Sequence, residues 1–163
     1  MSRIVTLHRI ATSVPVVGEQ AFSFAFSQIS PYFASVRPRF TVIGPNRAEV
    51  VIRKRRRVQN HLGTVHAIAL CNGLEAAMGA LAEASIPPDK RWIPKGMEVA
   101  YTAKATSDIT CVAETDPADW ERAGDTEVPV RVRGARSDGT TVVEGVIRLW
   151  VTDKPDSPGR PSA

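Results

Sequence analysis

Eight consecutive residues, Asn60-His61-Leu62-Gly63-Thr64-Val65-His66-Ala67, bring an amide, a glycine, a hydroxyl and two imidazoles to the point where an apolar helical pattern begins. The first amides of a helix have no internal acceptor and sit at the positive end of its dipole. The N–H groups near His66 and Ala67 are therefore placed to hold a developing oxyanion, such as that of a thioester carbonyl. Thr64 can cap the helix through its side-chain oxygen, a role that requires no ligand. Asn60 can orient a water or a carbonyl oxygen, or simply close an Asx-type turn, and local sequence favours the turn. His66 can donate to a carbonyl or brace the loop, whereas His61 and His8 read as surface or structural residues. Three scattered histidines do not form a metal site.

The helical pattern itself carries the second chemical signal. At about 100° per residue, Ile68, Asn72, Glu75 and Gly79 fall along one face of a segment that is otherwise nearly all apolar. A carboxylate in such a setting is costly unless it is paired or used, which suits Glu75 to general-base or nucleophilic work. The plainer alternative is that Glu75 reaches solvent or pairs with an arginine. Gly63 and Thr64 in the turn, and Ile68 and Asn72 beside Glu75, are the natural substrate-contacting positions.

Composition sets the outer bounds. With 163 residues, 43% of them hydrophobic, the chain can bury one ordinary core. Twenty-one Lys and Arg against 17 Asp and Glu give a net charge of +4, which favours anionic partners without naming one. The densest basic run is Arg53-Lys54-Arg55-Arg56-Arg57, and Arg55 and Arg57 are candidates to meet the phosphates of a nucleotide-bearing substrate; exposed strand residues are also often just solvated charge. Cys71 and Cys111 show no metal-type spacing and read as reduced, buried thiols. No stretch reads as a membrane span or secretion signal, so a cytoplasmic protein with no membrane partner is expected. The acid-free opening with Arg3 and Arg9 faintly resembles a transit peptide, a pattern common by chance.

The elements that must position these residues follow from periodicity. A short helix is expected over 20–30, strands over 39–43 and 47–58 around the Gly44-Pro45-Asn46 turn, and one long helix over 64–84 stopped by Pro87-Pro88. Strands are then expected over 96–105, 107–114, 127–135 and 140–151, the last two joined by Arg136-Ser137-Asp138-Gly139. This implies an α+β architecture, a long antiparallel meander around one buried helix, as a single domain over 1–152. The Pro- and Ser-rich segment 153–163 reads as a disordered tail.

The motif Asn-x-x-Gly-Thr-x-His-Ala at 60–67, followed by the helical acid Glu75, resembles the hotdog-fold thioesterases, in the PaaI-like and DUF4442 branch. The resemblance spans roughly residues 10–152. It implies an antiparallel sheet wrapped around one long central helix, with acyl-CoA bound where two subunits meet in a homodimer or a dimer of dimers. By position, Asn60 would align the water or the carbonyl, the Ala67 amide would be the oxyanion donor, His66 would support the carbonyl, and Glu75 would be base or nucleophile. Many relatives have Gly-Gly where this chain has Ala67-Ile68, and aspartate where it has Glu75.

The resemblance thus implies hydrolysis of an acyl-CoA thioester, with no metal and no cofactor beyond the coenzyme A of the substrate. The alternative from another class is a non-catalytic hotdog module that binds acyl-CoA or serves as an interaction subunit. A hotdog dehydratase would show an Asp and His pairing that is not present. A nucleic-acid role would need a reading element beyond the basic run, so no nucleic-acid partner is expected.

Overall fold

The computed structural model describes residues 3–12, 23, 31–121 and 124–155. Helix α1 (Arg3–Thr12) leads, followed by a short 3-10 turn (Pro31–Ser35), then β1 (Arg39–Gly44) and β2 (Arg47–Ile52). A second 3-10 turn (Arg56–Val58) precedes the long helix α2 (Ala67–Ser85), after which come β3 (Lys90–Tyr101), β4 (Ile109–Glu114), β5 (Thr126–Arg136) and β6 (Thr141–Asp153).

The apolar composition of α2 is explained by where it lies. Thirteen of its 19 residues are buried, and it crosses β2 and β4 with further contacts to β1 and β5. Along β2, Ala48, Val50 and Ile52 alternate inward toward this helix, and Val128, Val130 and Val132 do the same along β5. Among the described residues, α2 alone is long and apolar enough to cross a membrane, contrary to the reading of the sequence, yet most of it is buried within this fold. Pro87 and Pro88 follow directly on its end.

All pairings are antiparallel, in the order β1-β2-β4-β5-β6-β3. The expected meander is therefore broken once. Because α2 carries the chain across the sheet, β3 lands at the far edge beside β6, and β4 returns to pair with β2. Strand β3 begins six residues earlier than expected and takes in Pro94 beside an irregularity in its pairing with β6, on a sheet edge, where proline is tolerated.

Three further expectations are corrected. Strand β2 stops at Ile52, so residues 53–58 form a loop and a 3-10 turn and strand alternation does not govern the basic run. Residues 3–12 form a helix that the sequence reading left unassigned, while the helix expected over 20–30 lies outside the described residues except for Ser23. The expected tail begins too early, because Asp153 ends β6 and forms an ion pair with Lys90 at 2.6 Å; residues 156–163 lie outside the described residues.

The tightest backbone approach holds the edge strand. Gly145 of β6 faces Val99 of β3, and a Cβ added there would strike the Glu98 carbonyl oxygen and lie 2.8 Å from Val99 Cα. Both obstacles are main chain and cannot swing aside. Gly145→Ala should therefore cost about 1–3 kcal/mol in urea denaturation, while Gly96→Ala, whose added methyl meets nothing within 4 Å, should cost less than about 0.5 kcal/mol. Equal costs would mean that close β3–β6 packing does not set the requirement for glycine.

Candidate functional site

The turn before α2 is built around Asn60. Its Oδ1 accepts the backbone N–H of Leu62 at 3.0 Å and of Thr64 at 3.2 Å, and its Nδ2 donates to Thr64 Oγ1 at 3.0 Å. The main chain closes the same loop, with Asn60 N–H donating to Thr64 O at 2.9 Å and Gly63 N–H to Asn60 O at 3.0 Å. Gly63 has φ +72° with open space around it, so the left-handed turn, rather than a close neighbour, calls for glycine. The His66 N–H donates to Val58 O at 2.8 Å and the Val65 N–H to Ala105 O at 2.9 Å, which pins the loop to its surroundings.

The cap of α2 is His66, not Thr64. Thr64 is engaged by Asn60, whereas His66 has extended backbone angles and its Nδ1 accepts the Ile68 N–H at 3.1 Å. An Nδ1 that accepts places the proton of the neutral ring on Nε2, which leaves that nitrogen as the ring's donor. The Ile68 amide is thus satisfied, and Leu70 N–H reaches His66 O at 3.1 Å. The amides of Ala67 and Ala69 have no acceptor among the described residues. Two N–H donors are free at the positive end of a helix dipole.

Glu75 is half-buried, and its carboxylate makes no hydrogen bond or ion pair among the described residues. It shares the outward stripe of α2 with Ile68, which is 56% exposed. Glu75 follows Ala67 by eight residues, about 12 Å along the helix at 1.5 Å per residue. One chain therefore does not bring its own Glu75 and its own Ala67 amide to a single carbonyl.

A cleft of 190 Å³ opens beside the start of α2, lined among others by Tyr32, Ser35, Arg57, His66, Ile68 and Asn72. Asn72 is only 4% exposed; its Nδ2 lies 3.5 Å from Ser35 Oγ and its Oδ1 has no partner. Arg57 is exposed and has no ion pair or hydrogen bond among the described residues. Arg55 donates to Ser35 O at 3.4 Å, and burial, followed by the charges of Arg37 and Arg57, holds its pKa below the ordinary guanidinium value. On the other flank of α2, Cys71 Sγ lies 3.2 Å from Tyr101 Oη. That contact, with burial, pushes the tyrosine up to about 12, and burial pushes the Cys111 thiol up to about 12.

The structure thus gathers Asn60, Gly63, Thr64, His66 and Ala67 in one turn, places Ile68, Asn72 and Arg57 around one cleft, with Arg55 bonded to the Ser35 carbonyl, and sets Glu75 apart. The sequence reading missed Tyr32 and Ser35 of the cleft and Tyr101. Pro31 at the head of the 3-10 turn was the available signal for the first two, since proline suits the first position of a helix.

A family model described as a domain of unknown function (DUF4442) matches residues 18–151. The chain has no match among the curated proteins. Among solved structures, the structural-genomics protein APC5556 is 41% identical with a TM-score of 0.78, over 93% of this chain and 99% of that one. A Pseudomonas aeruginosa protein, PA5026, named as a probable thioesterase, is 22% identical with a TM-score of 0.67, over 80% of this chain and 88% of that one. The Haemophilus influenzae thioesterase HI1161 is 11% identical with a TM-score of 0.67, over 78% of this chain and 88% of that one. The shared architecture is the hotdog fold.

The cap gives a direct test. His66→Ala should lose about 1 kcal/mol of stability, and His66→Asn should recover most of it by capping the same amide, as read by chemical denaturation. If asparagine recovers nothing, the bond to Ile68 is not what His66 contributes to the fold.

Proposed function

The chain belongs to the DUF4442 family and has the hotdog fold, and from that premise we propose that it hydrolyses acyl-CoA thioesters. The observation that carries this reading is the half-buried Glu75 carboxylate on a helix whose Ala67 and Ala69 amides are also free, all three without partners among the described residues. A free base and free oxyanion donors are the two parts that acyl transfer to water requires.

The separation along α2 means that these parts come from two copies of the chain. In a homodimer, Glu75 of one subunit serves the carbonyl held at the Ala67 amide of the other. Two features support such pairing. Strand β3 is a long sheet edge with Ile93 60% and Tyr101 51% exposed, an edge suited to a second copy. The stripe of Ile68 and Glu75 on α2 faces away from its own sheet.

Water then attacks the thioester carbon while Glu75 takes its proton. The carbonyl oxygen becomes an oxyanion held by the Ala67 amide, with His66 Nε2–H as a second donor. The C–S bond breaks as the carbonyl re-forms, and the proton passes to the departing thiolate. The products are a carboxylic acid and the free thiol. Asn60, Gly63 and Thr64 hold the turn that aims these donors and act as positioning residues. Ile68 and Asn72 border the substrate, and Arg55 and Arg57 supply the positive charge that favours a phosphorylated thiol.

Glu75→Gln should lower kcat/KM for a responsive acyl-CoA by about 100-fold or more while the thermal transition stays in place. Ala67→Pro deletes the oxyanion N–H at a position where proline is tolerated in a helix, after a residue already extended. Mixed dimers of these two inactive variants should regain turnover, because one of their two sites then has both an intact Glu75 and an intact Ala67. No recovery would rule out the shared site. Binding without hydrolysis across short, long and aromatic acyl-CoAs would make the protein a binding module instead.

A further inference from the structure

Hydrolysis through Glu75 alone leaves the attacking water with one contact. Glu75 takes one of its protons, but a water held only there can rotate about that hydrogen bond and need not present a lone pair to the carbonyl carbon. Asn60, which the sequence offered for this task, is spent: its Oδ1 accepts the Leu62 and Thr64 amides, and its Nδ2 donates to Thr64 Oγ1. A second acceptor beside Glu75 is therefore needed.

The edge strand β3 supplies one. Its inward residues Trp92, Met97, Val99 and Tyr101 pair with Val151, Ile147, Gly145 and Val143 of β6, of which Val151, Ile147 and Val143 belong to the buried core. Long side chains of this face reach across to the outward stripe of α2 at two points. Tyr101 Oη lies 3.2 Å from Cys71 Sγ. At the other end, Trp92 Nε1 donates to Glu83 Oε1 at 3.0 Å, and a Cβ added at Gly79 would lie 3.7 Å from the Trp92 ring. Cys71, Glu75 and Gly79 follow one another at i, i+4 and i+8, so Glu75 lies on the same face, between the two contacts. Residues four apart on a helix have Cβ atoms about 5–6 Å apart. The Tyr101 hydroxyl thus stands one helical turn from the carboxylate, a gap of the size that one water bridges.

That hydroxyl is available. Its sole hydrogen-bond partner among the described residues is sulfur, a weak one, and Tyr101 is 51% exposed. The Cys71 contact, followed by burial, pushes it up to about 12, so it stays a neutral O–H. With its proton turned to Cys71 Sγ, the lone pairs of Oη remain to accept from water.

We propose that Tyr101 is a further catalytic residue, whose hydroxyl oxygen accepts a hydrogen bond from the attacking water while Glu75 of the same subunit takes the other proton. Cys71 is a positioning residue that fixes the hydroxyl. This rests on the thioester reading of Glu75 and adds the group that aims its nucleophile. The water oxygen forms the new C–O bond, the proton facing Glu75 transfers and later reaches the departing thiolate, and the proton facing Tyr101 stays on the hydroxyl of the acid product.

Kinetics on an acyl-CoA, with water and then with hydroxylamine as the nucleophile, test this. Tyr101→Phe keeps the ring and removes only the oxygen. It should lower kcat for hydrolysis about 10- to 100-fold and leave KM, oligomer mass and melting temperature unchanged. Hydroxamate formation should hold at the wild-type rate, because hydroxylamine attacks through nitrogen and needs no oriented water. Cys71→Ala should show a smaller loss of kcat, and Cys71→Ser, which keeps a hydrogen-bonding atom, should recover most of it. Hydrolysis and hydroxamate formation falling together in Tyr101→Phe would assign the residue to structure and overturn the proposal. If Glu75→Gln abolishes turnover and Tyr101→Phe does not, the role of Tyr101 fails alone; if wild type turns over no acyl-CoA, the hydrolytic reading fails and Tyr101 with it.

Discussion

The burial of α2 governs everything else in this molecule. A 19-residue helix with thirteen buried positions must be covered over most of its circumference, and the sheet supplies that cover. Since β2 ends where the approach to α2 begins, the helix spans the sheet and delivers β3 to the far edge. The open edge, the broken meander and the exposed helix start are three consequences of one packing requirement. The site arises where that packing stops, at the first turn of α2, where backbone donors cannot be satisfied from within.

How those donors are allotted decides the chemistry. Three bonds from Asn60 and one from His66 stabilise the turn and satisfy the Ile68 amide, yet they leave the Ala67 and Ala69 amides open. A fold selected only for stability would close such a helix end more completely. The same holds at Glu75, Asn72 and Arg57, where a carboxylate, a buried carbonyl and a guanidinium all lack partners among the described residues, within a few turns of one another. Several charges elsewhere are paired, as in Arg148 with Glu98 and Arg131 with Asp116. Unsatisfied groups concentrated around one helix start mark the place where a ligand supplies the missing half of each interaction.

Much of this was legible from residue order. The apolar run predicted α2 and its burial because no polar face interrupts it, and Pro87-Pro88 located its end. The hairpin turns were visible through Asn46, now at φ 63°, and Gly139, at φ +85°, positions whose residue types tolerate the left-handed region. What could not be read was non-local. The place of β3 depends on how far a helix carries the chain, not on any residue in β3, and its first half looked unlike a strand because edge strands need no alternation when both faces are largely exposed. Thr64 looked like a cap because capping preference is a property of residue type, whereas which oxygen reaches the amide depends on the Asn60 bonds that had already taken the threonine. The partners of Asn72, brought from 37 residues away by the Pro31–Ser35 turn, have no local signature.

The 12 Å between Ala67 and Glu75 along one helix also bears on why such a site would be divided between subunits. A base and an oxyanion donor fixed on the same rigid helix keep that separation through every fluctuation of the fold, so neither can drift into a non-productive contact with the other. Two antiparallel helices related by a twofold axis convert the same spacing into coincidence, since a displacement up one helix is matched by a displacement down its mate. In the proposed dimer, the unpaired edge of β3 and the outward Ile68 would serve the same end as Glu75, because contacts that join two copies would also complete the reacting geometry. In the proposed dimer, assembly would be a condition of chemistry, and an isolated subunit would hold the parts of two half-sites without a whole one.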